Sequence, residues 1–148
     1  MSTEQFSDGC RLRIAHLAVG LVFLAVFLLT GQYMDRYLDH LQATPDTQRM
    51  LFRSTHIYLL WSALLNLALG LYLRLSPVRV RRTVQWLGSI MVLGGPFLLT
   101  IAFFHEPSLH GLLRPLSRPA IYAAFGGLLL HALASLARTS PSGNRRQK

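Results

Sequence analysis

A chain of 148 residues that is 51% hydrophobic and only 14% charged leaves little room for a soluble enzyme domain beside its apolar segments. Its 15 Lys plus Arg against 6 Asp plus Glu give a formal net charge of +9, which on a soluble protein would point to nucleic acid. Here the cations sit between apolar runs, as topology signals and anionic-lipid contacts do, so nucleic acid is excluded as a partner and the lipid bilayer takes its place.

The polar head, residues 1–13, carries Arg11 and Arg13. It does not read as a cleaved signal, because no small-x-small site follows the apolar run, and no apolar run precedes Gly9-Cys10 as lipidation would need. Cys10 is the single cysteine, which excludes an internal disulfide and a thiolate metal cluster. Residues 14–34 then run for 21 positions without Asp, Glu, Lys or Arg. A helix rises about 1.5 Å per residue, so about 20 residues cross a hydrocarbon core of about 30 Å. This is the first predicted span.

The connection that follows, residues 35–53, holds Asp35, Asp39 and Asp46 with Arg36, Arg49 and Arg53. Residues 35–41 have an amphipathic pattern suited to the membrane surface, and Thr44-Pro45-Asp46 reads as a helix start. The second span, residues 54–73, places Ser62, Asn66 and Gly70 on one face at i, i+4 and i+8, the spacing of a helix–helix seam. A short loop with Pro77 and four arginines (Arg74, Arg79, Arg81, Arg82) leads to the third span, residues 83–105, so these two helices are expected to be antiparallel neighbours. Gly94-Gly95-Pro96 predicts a kink, because proline lacks the backbone donor and crowds the preceding turn. The third connection contains Glu106, His110, Arg114 and Arg118. The fourth span is residues 119–137, and the basic tail 138–148 reads as disordered.

Ten cations fall on the side of the termini and the short loop, and five on the other. Excess Lys and Arg marks the cytoplasmic face. The expected fold is therefore all-α: one domain, a four-helix transmembrane bundle of the inner (cytoplasmic) membrane with both termini inside. Tyr33, Tyr37, Tyr58, Trp61, Tyr72, Trp86 and Tyr122 fall near the expected interfaces, as aromatic belts do.

Six histidines then sort by depth. His16 opens span 1 from the inside and His131 lies seven residues before Arg138, which puts both one to two turns into the apolar region on the cytoplasmic side. Gly20 follows His16 by four and Gly127 precedes His131 by four, so each glycine lies one turn deeper on the same face. Two neutral imidazoles facing across a bundle, with glycines where a flat ligand would approach, are what a bis-histidine haem b iron needs. This requires spans 1 and 4 to be neighbours. The alternative is structural: His16 reaches the interface, His131 bonds a backbone group or Ser135, and Gly126-Gly127 only lets helices pack closely.

At the other face His56 opens span 2, and His105 closes span 3 beside Glu106. These three could bind a divalent metal, since imidazole and carboxylate suit zinc, copper or iron. Arg53 could instead pair with Glu106, or a quinone head group could sit there on His and Arg donors. His40 and His110 are expected to face water. No HxxxH or HExxH spacing is present.

Several short runs carry a family resemblance. Span 1 has Arg13-Ile14-Ala15-His16 and ends Leu29-Thr30-Gly31-Gln32-Tyr33-Met34. Span 2 begins with His56 and ends Leu71-Tyr72-Leu73-Arg74-Leu75. Span 4 holds His131 in Leu129-Leu130-His131-Ala132-Leu133-Ala134. This plan resembles bacterial b561-type cytochromes, four-helix membrane proteins that hold b haems and exchange electrons with quinones. The resemblance implies that His16 and His131 ligate an inner haem and that His56 is one ligand of an outer haem. The chain departs from the family at Arg118-Pro119-Ala120-Ile121-Tyr122, where a further histidine is expected, and at Leu17, where a tryptophan is usual.

Three functions follow as expectations. The first is a small b-type electron carrier working with quinone. The second is a non-catalytic accessory or assembly subunit with a membrane protein partner. The third is a metal or proton transporter using His56, His105 and Glu106. The span interiors lack the Asp and Glu relay of an ion path. A hydrolase or transferase is disfavoured, because the chain has no Ser-His-acid order, carboxylate pair or phosphate loop.

Overall fold

The computed structural model describes residues 3–109 and 111–136, with side chains from residue 8 onward. His110, Ala137 and the tail 138–148 lie outside the described residues. Four helices make the fold: α1 (Thr3–Arg36), α2 (Asp46–Tyr72), α3 (Arg79–His105) and α4 (Ser117–Leu136), with no strand among the described residues. All four are long and apolar enough to cross a membrane, consistent with a multi-pass membrane protein. Their outer faces carry large apolar side chains open to the surroundings, among them Leu21, Leu29, Ile57, Leu64, Ile90, Ile101, Leu129 and Leu133. In water such a surface would be a liability; against hydrocarbon it costs nothing.

The helices extend past the apolar runs. Helix α1 continues back through the polar head. Helix α2 starts at Asp46, directly after Pro45 and well before the apolar boundary at residue 54, with the Asp46 carboxylate in its first turn. Between α1 and α2 the chain turns through a short 3₁₀ segment, Asp39–Leu41, with φ of 44°, 53° and 66° at Asp39, His40 and Leu41. This left-handed turn tucks Leu41 under the helix ends while His40 stays exposed, in contact with Asp35 at 2.7 Å. The α2–α3 link is held by Gln85, whose Oε1 accepts from Ser76 N at 2.7 Å and whose Nε2 donates to Arg74 O at 3.1 Å. From α1, Arg13 donates to Gly70 O and Leu71 O, both at 3.1 Å, so a cation covers carbonyls left open at the end of α2.

Packing is pairwise. Helix α1 lies chiefly on α2 and α4 chiefly on α3, and a thinner α2–α3 seam joins the two hairpins. Glycine sets both tight contacts. A Cβ on Gly20 would stand 2.8 Å from the Leu67 side chain, and one on Gly70 would stand 2.5 Å from Leu17. The α3–α4 contact is as close, with backbone carbonyls as the nearest atoms: a Cβ on Gly88 would meet Gly127 O at 2.7 Å, and one on Gly127 would meet Gly88 O at 2.5 Å. All four helices contribute to the central core of Phe23, Leu59, Ala63, Leu99, Phe103 and Ala120. The expected seam on α2 is present, since Ser62, Asn66 and Gly70 are all buried. Spans 1 and 4 are not a packed pair, so the condition set on the sequence for His16 and His131 to share an iron is not met by direct helix packing. The close α1–α2 and α3–α4 glycine contacts set the pairing instead.

Candidate functional site

Toward the end of the bundle near Arg13, four buried polar side chains, one from each helix, form two hydrogen-bonded pairs: His16 of α1 with Asn66 of α2, and Ser89 of α3 with His131 of α4. His16, Asn66 and Ser89 are fully buried and His131 is 5% exposed. His16 Nδ1 lies 2.8 Å from Asn66 Oδ1. His131 Nε2 lies 3.0 Å from Ser89 Oγ.

Proline explains why Asn66 is where it is. An ordinary residue at position 96 would donate its N–H to the Val92 carbonyl, four residues back; Pro96 has no N–H to give. Asn66 Nδ2 donates to that Val92 carbonyl at 3.3 Å and to Ser62 O at 2.9 Å. In hydrocarbon a freed carbonyl must find another donor, and here a neighbouring helix supplies it.

Those two bonds fix the chemistry at His16. Both partners of Nδ2 are carbonyls, which only accept, so the amide nitrogen must face them and Oδ1 must face the imidazole. Oδ1 can only accept, so His16 Nδ1 carries the hydrogen and donates it. Nε2 of the neutral ring is then the lone pair, and it is buried without a protein partner. His131 is less constrained: either Ser89 donates to Nε2, or Nε2–H donates to Ser89. Its Nδ1 is also buried without a partner. These two are among six buried polar side-chain atoms without a protein partner in the described residues, Ser62 Oγ, one turn from Asn66 on α2, being another.

A haem can be tested against these two pairs. The donor chemistry fits in part: His16 has a free Nε2, whereas at His131 Nε2 is engaged by Ser89 and Nδ1 is the free atom. A partner on the far ring nitrogen, as Asn66 is to His16, is the usual companion of a metal-bound histidine. At His131 the unengaged atom is Nδ1, so iron would take that atom or Nε2 after Ser89 lets go. Gly20 and Gly127 add no cradle. Leu67 fills the space beside the first, and Gly88 and Val92 fill the space beside the second, so both glycines serve helix contacts in this packing. A groove of about 330 Å³ opens onto His131 from the same end, bordered by Tyr72, Arg74, Gln85, Leu128 and Ser135.

The second set of expected residues stays apart. His56 Nδ1 is 3.0 Å from Thr30 Oγ1, and the ring stacks on Phe27 with centroids 4.2 Å apart. Thr30 donates its hydroxyl hydrogen to Phe27 O at 2.9 Å, so His56 Nδ1 is the donor in that pair. His105, at the end of α3, is exposed. Glu106 is fully buried and caps α4: its Oε1 accepts from Leu116 N at 2.9 Å and Ser117 N at 2.8 Å. No ion pair joins Arg53 to Glu106 among the described residues. Among these residues, too, no group of three or more His, Cys, Asp or Glu gathers closely enough to hold a metal ion.

Sequence reasoning singled out His16 and His131 but assigned Asn66 only to packing and passed over Ser89. Pro96 was a usable signal, since it declares a free carbonyl at Val92. Which helix would answer it is a tertiary fact. Neither protein-family models, nor curated proteins, nor solved structures give a match to this chain.

Proposed function

We propose that the protein is a small b-type electron carrier of the cytoplasmic membrane, with both termini inside and with His16 and His131 as the axial ligands of a haem. The single observation that supports this reading is the pair of buried, unpartnered imidazole nitrogens, His16 Nε2 and His131 Nδ1. Against it stands the helix order, since α1 and α4 do not pack on one another and a shared haem would have to join the two hairpins. The chemistry a haem supplies when bound is one-electron transfer. The chain's own part is to present the His16 lone pair, to hold the far side of that ring through Asn66, and to keep water out with Leu12, Val92 and Ala134, which are buried nearby in sequence. The groove beside His131, with Arg74 and Tyr72 at its border, is where we place quinone exchange.

The test is a dithionite-reduced minus oxidised visible spectrum of the protein purified in mild detergent from cells well supplied with haem. A b-type band at near one haem per chain is expected, lost in His16→Ala and in His131→Ala. A colourless wild-type protein refutes the proposal.

A further inference from the structure

We infer that Asn66 is a positioning residue that locks the His16 imidazole in its Nδ1–H form, and that Pro96 holds Asn66 to this task from the neighbouring helix. The purpose of the lock rests on the ligand role proposed for His16, but its geometry does not. A neutral imidazole free in solution exchanges its proton between both nitrogens. A buried one takes the form its neighbours permit. Here the permission is one-sided, because the Asn66 amide cannot turn over without setting its carbonyl oxygen against the carbonyls of Ser62 and Val92.

Pro96 sharpens the lock. With any other residue there, the Val92 carbonyl would accept from the backbone, and Asn66 would compete for it. With proline, Asn66 Nδ2 is the donor this carbonyl has, at 3.3 Å. The order of dependence is therefore Pro96, the Val92 carbonyl, the Asn66 amide, the His16 proton, and last the unpartnered lone pair on the buried Nε2. Four groups on two helices, Pro96 and the Val92 carbonyl on α3 with the Asn66 amide and the Ser62 carbonyl on α2, decide which atom of the α1 ring is ready to bind.

The experiment is ¹⁵N NMR of histidine-labelled full-length protein in lipid nanodiscs, with the His16 signal assigned by its loss in His16→Gln. The wild type should show His16 protonated at Nδ1 and unprotonated at Nε2. Asn66→Leu removes the acceptor and should move the ring to the Nε2–H form or to a mixture. Asn66→Asp keeps an acceptor and should retain Nδ1–H, and Pro96→Ala should fall between wild type and Asn66→Leu. Wild-type His16 protonated at Nε2 overturns the inference without any variant having to fold, and so does an Asn66→Leu ring that stays in the Nδ1–H form. In protein that binds haem, Asn66→Leu should weaken retention about 10- to 100-fold, the usual effect of losing such a partner. It should also raise the midpoint potential, because an imidazole that no longer donates from Nδ1 is a weaker base and favours ferric iron less. A wild type that carries no haem removes the haem reading and leaves the proton position as measured.

Discussion

Replacing Gly127 with alanine should force α3 and α4 apart and break the bond on His131. The added Cβ would stand 2.5 Å from the Gly88 carbonyl oxygen and 2.8 Å from Val92 Cγ2. Ordinary contact starts at 3.4 Å, so the two backbones must separate by about 0.9 Å at this point, the difference between those distances. The Gly88 oxygen belongs to a helix and cannot swing aside. His131 is one turn from Gly127 and Ser89 adjoins Gly88, so the same shift would stretch the 3.0 Å Ser89–His131 bond to nearly 4 Å. Overpacking costs about 1–3 kcal/mol and an interhelical hydrogen bond in a membrane averages about 0.6 kcal/mol, which together give a loss of about 2–3 kcal/mol. Reversible unfolding by SDS in mixed micelles measures it, with Gly126→Ala as the control. A Cβ at Gly126 meets only the tip of Met91, at 3.1 Å, and that flexible end can move. Equal stability of Gly127→Ala and Gly126→Ala would refute the claim that backbone contact at Gly88 and Gly127 holds the second hairpin.

Three further outcomes follow from contacts already described. Glu106→Ala leaves the amides of Leu116 and Ser117 without their acceptor and should destabilise the protein by about 2 kcal/mol or more, whereas Glu106→Gln keeps a carbonyl oxygen there and should cost less; SDS unfolding ranks them, and equal losses would remove the capping role. Gln85→Ala should speed hydrogen exchange at the Ser76 amide while leaving the core amides of α2 unchanged, a pattern read by exchange mass spectrometry. Gly94→Ala should leave stability within about 0.5 kcal/mol of wild type, as for a surface substitution away from special features, because no atom outside its own helix lies within 4 Å of the new Cβ.

The four spans were legible because charge-free length alone carries the signal, and that signal survives any arrangement of the helices. Helix ends were less legible. Nothing apolar marks Thr3 or Asp46, and capping by Pro45 and the Asp46 carboxylate gave only the second of these. Gly20 and Gly127 were read as openings for a flat ligand because they share faces with histidines, which is true of their register. The register does not say what stands opposite, and Leu67 and Gly88 stand there. His56, His105 and Glu106 looked like a cluster because all three fall at one membrane depth. Depth fixes one coordinate of three: Glu106 turns to the start of α4, His56 turns to Thr30, and His105 points outward. Asn66 and Pro96 were each noticed for a local reason, a polar seam and a kink. Only the fold shows that one answers the other.

The division into two hairpins bears on how the chain is made. Residues 3–72 complete their tight contact, Leu17 over Gly70 and Leu67 beside Gly20, before α4 has been synthesised. The α3–α4 contact likewise closes within its own hairpin. Each half can therefore leave the insertion machinery as a finished pair, needing nothing from the other to satisfy its closest packing. The Asn66–Val92 bond is different, because its two partners arrive in different halves. Until the halves meet, Asn66 Nδ2 holds only the Ser62 carbonyl of its own helix, and the Val92 carbonyl lacks this donor. The two hairpins are thus joined by a bond that neither can make alone, and Asn66 answers the freed carbonyl at Val92 only once both are present.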